Sequence, residues 1–229
     1  MDPVKKRRAT YQDVIDSPEH MIAEIIGGEL RLSNRPRGPA LAAASALGEE
    51  LGPPFKRGRG GPGGWLILDK PEHHLGDEII VPDLAGWRRE RLPRVPDAAF
   101  ITRPPDWVCE VLSRSTEKTD RTEKMPIYAS SGVPYAWLVH PRRRTLEAFR
   151  LHAGNWLAVA VYNDSDRARI EPFDAIKLDL AMLWACRRPN FLRLASHRSL
   201  RGERGHLSSG SSQEDDTGAV QRAACSAMS

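Results

Sequence analysis

Val81-Pro82-Asp83, Trp107-Val108-Cys109-Glu110-Val111-Leu112 and Thr122-Glu123-Lys124 are the segments that decide how this 229-residue chain is read. Asp83 closes the run Glu78–Val81, where Pro82 ends regular strand pairing because it has no N–H to donate. Asp106–Leu112 is apolar on both faces apart from Glu110, as in a central strand covered on both sides. A carboxylate in such a run needs a partner, since an unpaired buried charge costs several kcal/mol. A salt bridge would serve, and so would a hard divalent cation shared with Asp83. Two carboxylates and the Lys124 ammonium make a set suited to metal-assisted hydrolysis. Mg²⁺ prefers oxygen ligands, a bound cation acidifies its water, and an ammonium can stabilise developing negative charge.

Working outward, Thr122 is expected as the N-cap of a helix with Glu123 as its first residue. Pro126 then falls in the first turn, where its missing N–H is tolerated, and Tyr128 lies one turn beyond Lys124 on the same face. A cation in that first turn opposes the helix dipole, which a nearby anion would explain. Upstream, Thr10–Asp13 caps a short helix ending near Ser17-Pro18, and Met21–Ile26 and Glu29–Leu32 form a hairpin across Gly27-Gly28. Glu24 and Glu29 flank that turn, on what reads as a solvated strand edge. Ala40–Leu51 has the propensity of a helix. The Gly-rich segment 52–64 carries Lys56, Arg57 and Arg59 but lacks the Walker pattern, and reads as a flexible surface loop. Trp65–Leu68 is an apolar strand, and adjacent His73-His74 point apart and chelate poorly. Gly86–Arg91 reads as the start of a Pro-rich loop. There Arg88, Arg89 and Arg91 are candidate substrate-binding residues with Trp87 available for stacking, or Trp87 pins the loop to the core. Gly132–Val139 is a third core strand with His140 expected at the surface, and Thr145–His152 pairs with Asn155–Val161 as a C-terminal hairpin.

The net charge of +4 suggests an anionic partner, but its distribution does not. The first eight residues and residues 187–229 each carry +3, so the stretch between them is −2. Bulk charge therefore gives no support for nucleic-acid binding, and any phosphate attraction must be local. No apolar run approaches the roughly 18 residues of a membrane helix. The basic N-terminus lacks the apolar segment of a secretory signal. Three widely spaced Cys fit neither a disulfide framework nor a zinc knuckle, and a reducing cytoplasm is the simplest reading. Composition divides the chain into a basic tail (1–9), a folded domain (10–186) and a Ser/Arg-rich tail (187–229) too poor in apolar residues to order itself.

Pro82-Asp83 followed by Glu110-Val111-Leu112 resembles the PD-(D/E)XK nuclease signature, with Leu112 where that pattern has Lys and Lys124 in the helix beyond. The longer text Glu110-Val-Leu-Ser-Arg-Ser-Thr116, Asp120, Lys124, Tyr128, Gly132-Val133-Pro134 and Trp137-Leu138-Val139 is similar to the Uma-two family of restriction-endonuclease-like proteins. The likeness extends from Ala23–Leu30 to about Trp184. It implies an α/β, restriction-endonuclease-like core: a mixed β-sheet flanked by helices, with C-terminal hairpin strands. It further implies a Mg²⁺- or Mn²⁺-dependent endonuclease acting on DNA, with Asp83 and Glu110 holding the metal and Lys124 completing the catalytic set. Glu24 would be an accessory acid and Tyr128 a positioning residue. Relatives carry a His near the start of the helix where this chain has Pro39-Ala40-Leu41, so an inactive DNA-binding or interaction protein of the same fold is the alternative. Restriction-like nucleases often act as homodimers, and the hairpin edge at 145–161 offers one place for it.

Overall fold

The computed structural model describes residues 7–184, so the expected tails fall outside the described residues except for 7–9. Helix α1 (Tyr11–Ile15) begins where Asp13 Oδ2 accepts the Thr10 N–H at 2.7 Å, a capping box. Strands β1 (Met21–Ile26) and β2 (Glu29–Asn34) pair in register through Gly27-Gly28. Both glycines have positive φ, 62° and 77°, the conformation a tight two-residue hairpin demands. Next come α2 (Pro39–Leu51), β3 (Trp65–Asp69), β4 (His73–Leu75), β5 (Glu78–Ile80), β6 (Leu84–Arg88) and β7 (Trp107–Val111). The described residues end with β8 (Tyr135–His140), β9 (Thr145–His152), β10 (Asn155–Asn163), a two-stranded ribbon at residues 167–179 and a 3-10 turn, Leu180–Trp184.

Two main sheets result, one ordered β2-β1-β5-β4 and one ordered β10-β9-β8-β7-β6-β3. Within the six-stranded sheet only β7 and β8 are parallel, so the connection between them must cross over. The crossover is a helical run of α3 (Glu117–Thr119), a π turn (Asp120–Lys124) and α4 (Met125–Ser130). The helix thus starts about one and a half turns earlier than the Thr122 cap predicted. The wide π turn just ahead of Pro126 is a natural place for a proline ring that cannot join the i→i−4 ladder.

One face of the six-stranded sheet packs Trp65, Trp107, Cys109, Trp137 and Val139 against Ala40, Ala43, Leu47 and Leu51 of α2. Phe173 fills this layer, its ring 4.7 to 5.5 Å from those of Phe55, Trp65, Trp107 and Trp137. The opposite face packs Ala85, Trp87, Val108, Ala136 and Leu138 against Met125 and Tyr128. Glu110 alternates with Cys109 and Val111 and therefore points to this second face, beneath the crossover helix.

Three expectations change here. The run Glu78–Asp83 is not one strand: pairing stops at Ile80, and a new strand in the other sheet starts at Leu84. Residues 86–88, read as the start of a loop, belong to β6 (Leu84–Arg88), because Leu84, Ala85 and Trp87 are wholly buried and the Trp87 indole N–H donates to the Arg103 carbonyl at 3.0 Å. His140, expected at the surface, is buried, and its Nδ1 accepts the Arg143 N–H at 3.1 Å. Among the described residues no helix is long and apolar enough to cross a membrane.

The Gly-rich segment is folded rather than loose. Arg59 N–H donates to the Pro53 carbonyl and Gly63 N–H to the Pro54 carbonyl, each at 2.8 Å. A Cβ on Gly61 would lie 2.5 Å from Pro54 Cβ and 2.9 Å from its carbonyl oxygen. Gly61→Ala is accordingly expected to cost about 1–3 kcal/mol by overpacking, lowering the melting temperature by several degrees. An unchanged thermal unfolding curve would show that the loop yields freely.

Candidate active site

Four elements converge on one small cleft. Asp83 occupies the step between the two sheets, one residue before β6. Glu110 rises from the middle of the central strand β7. Lys124 comes down from the crossover helix, and Glu24 enters from β1 of the other sheet. Glu24, Glu110, Asp120 and Lys124 have side chains no more than 6% exposed. The Lys124 ammonium lies 2.8 Å from Glu24 Oε1, 3.2 Å from Glu110 Oε1 and 3.6 Å from Asp120 Oδ1. Tyr128 O–H donates to the same Glu110 oxygen at 2.5 Å. Asp120, Lys124 and Tyr128 recur every four residues, so the helix presents all three on one side.

The segment ahead of β6 is fastened into this cluster by its own backbone. Val81 N–H donates to Glu24 Oε1 at 2.8 Å, and the Val81 carbonyl faces Lys124 at 3.5 Å. Asp83 uses one oxygen to accept the Val111 N–H at 2.7 Å and the other to meet Lys70 at 2.5 Å. The cleft bounded by these groups holds ≈ 50 Å³, room for a few water-sized occupants.

The electrostatics are those of an under-neutralised acidic cluster. Four carboxylates (Glu24, Asp83, Glu110, Asp120) share two ammoniums (Lys70, Lys124), a surplus of two negative charges once all four are ionised. Burial pushes Glu110 up to about 8, with Lys124 opposing and the neighbouring carboxylates reinforcing the rise. Burial likewise lifts Asp120 to about 6 against the pull of Lys124. Burial alone would lower Lys124, but Glu110, Glu24 and Asp120 together hold it well above its ordinary value, so it stays charged. Tyr128 is raised by burial and by Glu110, and remains a neutral donor. On the other face of β7, burial raises the Cys109 thiol, which makes it a packing residue and no nucleophile.

A divalent cation fits the charge and donor type of this set: the oxygens are hard ligands and the surplus charge matches. Among the described residues no three Asp, Glu, His or Cys side chains are already gathered as a cation cage. Lys124 and Lys70 instead hold the carboxylates in place. Asp83 and Glu110, which flank the cleft where β6 and β7 run side by side, could hold such an ion.

Glu24, Asp83, Glu110, Lys124 and Tyr128, all singled out from the sequence, are thus brought together. Glu29 is not among the groups that line the cleft. Two members were missed. Asp120 was visible as the residue one helical turn before Lys124. Lys70 carried no signal, because only the register of β3 on β6 sets it beside Asp83. Arg88, Arg89 and Arg91 lie apart, at and beyond the far end of β6, roughly 16 Å from Asp83 at about 3.3 Å per residue. Arg91 is held by Asp106 at 2.6 Å, Arg89 donates to the Pro93 carbonyl at 3.0 Å, and Arg88 lies over the Trp65 ring. His73 is buried against Trp87 and driven down to about 4 by burial, while His74 pairs with Glu72 at 2.8 Å, so the two do not chelate together.

Comparison with known proteins agrees with this architecture. A crystal structure described as "a putative nuclease" from Anabaena variabilis superposes with a TM-score of 0.63 at 21% identity, over 77% of this chain and 97% of that one. At that identity the likeness establishes the restriction-endonuclease-like α/β fold. No curated protein matches the chain. The family model Uma2, described as "Putative restriction endonuclease", matches residues 9–182, the whole of the fold from before α1 into the last 3-10 turn. The chain belongs to the Uma2 family.

Proposed function

We propose that this protein is a divalent-metal-dependent endonuclease that hydrolyses DNA phosphodiester bonds in the cleft between Asp83, Glu110 and Lys124. The observation that carries this is the buried cluster itself: four carboxylates around two ammoniums at the junction of both sheets and the crossover helix. A fold does not gather surplus buried charge for stability, since apolar residues of similar volume would serve as well or better.

Asp83 and Glu110 would hold a Mg²⁺ or Mn²⁺ ion, which when bound supplies Lewis-acid stabilisation of the phosphoryl group and acidifies a water. Lys124, kept protonated by its three carboxylates, can donate to the attacking water or to the developing phosphorane oxygens. Tyr128 fixes Glu110 by donating to Oε1; among the described residues Oε2 accepts no hydrogen bond. Glu24 supports the site from the second sheet by holding both Lys124 and the Val81 N–H. A DNA-binding protein without turnover is the second reading. It is favoured by the Lys70–Asp83 contact, which sets an ammonium on a carboxylate oxygen that a metal ion would need.

Supercoiled plasmid and single-stranded DNA incubated with Mg²⁺ or Mn²⁺ separate the two. Nicking is expected from the parent protein and should vanish with chelator and in Asp83→Ala. Persistence in Asp83→Ala would place the chemistry elsewhere. Absence of nicking by the parent, with metal binding that still requires Asp83 and Glu110, would select the binding protein.

A further inference from the structure

An open groove of ≈ 530 Å³ lies between α2 and the Gly-rich segment that follows it. Lys56, Arg57 and Arg59 line it, all three are exposed, and none forms an ion pair among the described residues. Their loop is a built structure, cross-tied by the Arg59–Pro53 and Gly63–Pro54 hydrogen bonds and closed so tightly at Gly61 that no side chain fits there. Three like charges within four residues repel one another, and among the described residues no ion pair offsets them. Glu49 and Asp69 are also in the lining, so the positive character follows the loop rather than the whole groove.

The lining of the groove comes within one residue of that of the cleft along the chain. Asp69 is the last residue of β3, paired with Leu84, and the next residue, Lys70, is the one that holds Asp83. A chain of phosphates passing through the cleft and along the loop would meet three free guanidinium and ammonium groups. Arg88, Arg89 and Arg91 are not placed for this, since they lie at the far end of β6 and are engaged with Trp65, Pro93 and Asp106. With a net charge of −2 over residues 9–186, local cations of this kind are what can attract a polyanion.

We infer that this groove binds the phosphodiester backbone of the DNA strand whose scissile bond lies in the cleft, with Lys56, Arg57 and Arg59 as its phosphate ligands. The identity of the strand as DNA rests on the nuclease reading; the polyanion site rests on the loop.

The test uses the full chain, labelled duplex and single-stranded DNA, and chelator to prevent cleavage. Binding is measured by anisotropy across a salt series for the parent and for Lys56→Ala/Arg57→Ala/Arg59→Ala. A third protein, Arg94→Ala/Arg142→Ala/Lys177→Ala, removes the same charge from exposed residues elsewhere. The groove variant is expected to bind at least about tenfold more weakly at low salt. Its log K against log [salt] slope on duplex should flatten by about 0.9 for every phosphate that is no longer neutralised, while the control stays near the parent. Equal weakening in both variants, weakening in neither, or no binding by the parent overturns the inference. Cleavage in Mg²⁺ is then measured on the same proteins. A parent that binds through the groove without cleaving leaves the groove standing and removes the hydrolytic reading. A parent that cleaves, beside a groove variant that binds like it, does the reverse.

Discussion

Lys124→Met is expected to lower the melting temperature at pH 8 by on the order of 10 °C, and by clearly less at pH 5. The ammonium neutralises Glu24, Glu110 and Asp120, three carboxylates no more than 6% exposed. Removing one partner of a buried ion pair costs about 3–5 kcal/mol, and in a domain of this size each kcal/mol is worth about 2–4 °C. The pH dependence follows from the remaining groups. Lys124 is raised above its ordinary value, so its contribution is fully present below pH 10.5 and is lost only above that. At pH 8 its loss strands charged carboxylates. At pH 5 Glu110 and Asp120, lifted to about 8 and about 6, are already protonated in the fold, so less charge is left without a partner. Lys70→Met should be milder at both values, because Lys70 is 26% exposed and meets Asp83 alone. Thermal unfolding followed by circular dichroism reads all four cases. A drop at pH 5 as large as that at pH 8 would mean that Lys124 acts by packing and not by charge.

How far the sequence anticipated this cluster depends on which interaction fixed each residue. Glu110 could be found because a lone carboxylate in a doubly covered strand violates the pattern around it. Lys124 and Tyr128 could be found because helical spacing is local. The dipole rationale for Lys124, a cation at a helix start, does not hold: the helix begins at Glu117 and Lys124 ends a π turn inside it. Its anions are nonetheless present. Strand β6 escaped notice because its apolar run Leu84-Ala85-Gly86-Trp87 is short and lies between a proline and three arginines, both of which signal a loop. The arginines follow the strand to the far end of the sheet, away from the cleft, a separation that a run of basic residues does not reveal by itself. Lys70 and the basic groove depend on β3 lying antiparallel to β6, a pairing between segments 15 residues apart at the Asp69–Leu84 step. No local pattern encodes that juxtaposition. The Gly-rich segment looked flexible because glycine content reports permitted conformations and not the backbone contacts that select one of them.

Glu110→Gln should separate stability from activity: the metal-free protein becomes more stable at pH 8, while metal-dependent nicking falls by on the order of 10³-fold or more, as expected for the loss of several kcal/mol of transition-state stabilisation. The amide keeps the shape of the side chain and an oxygen able to accept from Tyr128 and Lys124, but it removes a carboxyl whose ionisation near pH 8 adds a negative charge to an already acidic cluster. The sign is fixed by the shift. A carboxyl lifted from 4.5 in the unfolded chain to about 8 in the fold binds a proton in the folded state that the unfolded state has released. Between those two values stability therefore falls as pH rises, and Asp120 adds a smaller fall between 3.8 and about 6. Lys124 contributes evenly across that range, since its own loss begins only above pH 10.5. The parent should thus lose stability steadily from pH 5 to about pH 8, and Glu110→Gln should lose much less. Chemical unfolding at several pH values, with and without Mg²⁺, tests both halves. Mg²⁺ should stabilise the parent most at the alkaline end, where Glu110 is free of its proton, and should leave Glu110→Gln nearly unmoved. If the two proteins follow parallel pH curves, the buried carboxylate is not the group that sets them. If Glu110→Gln nicks plasmid at the parent's rate, Glu110 is not a ligand, and the cleft must act through Asp83 and its neighbours alone.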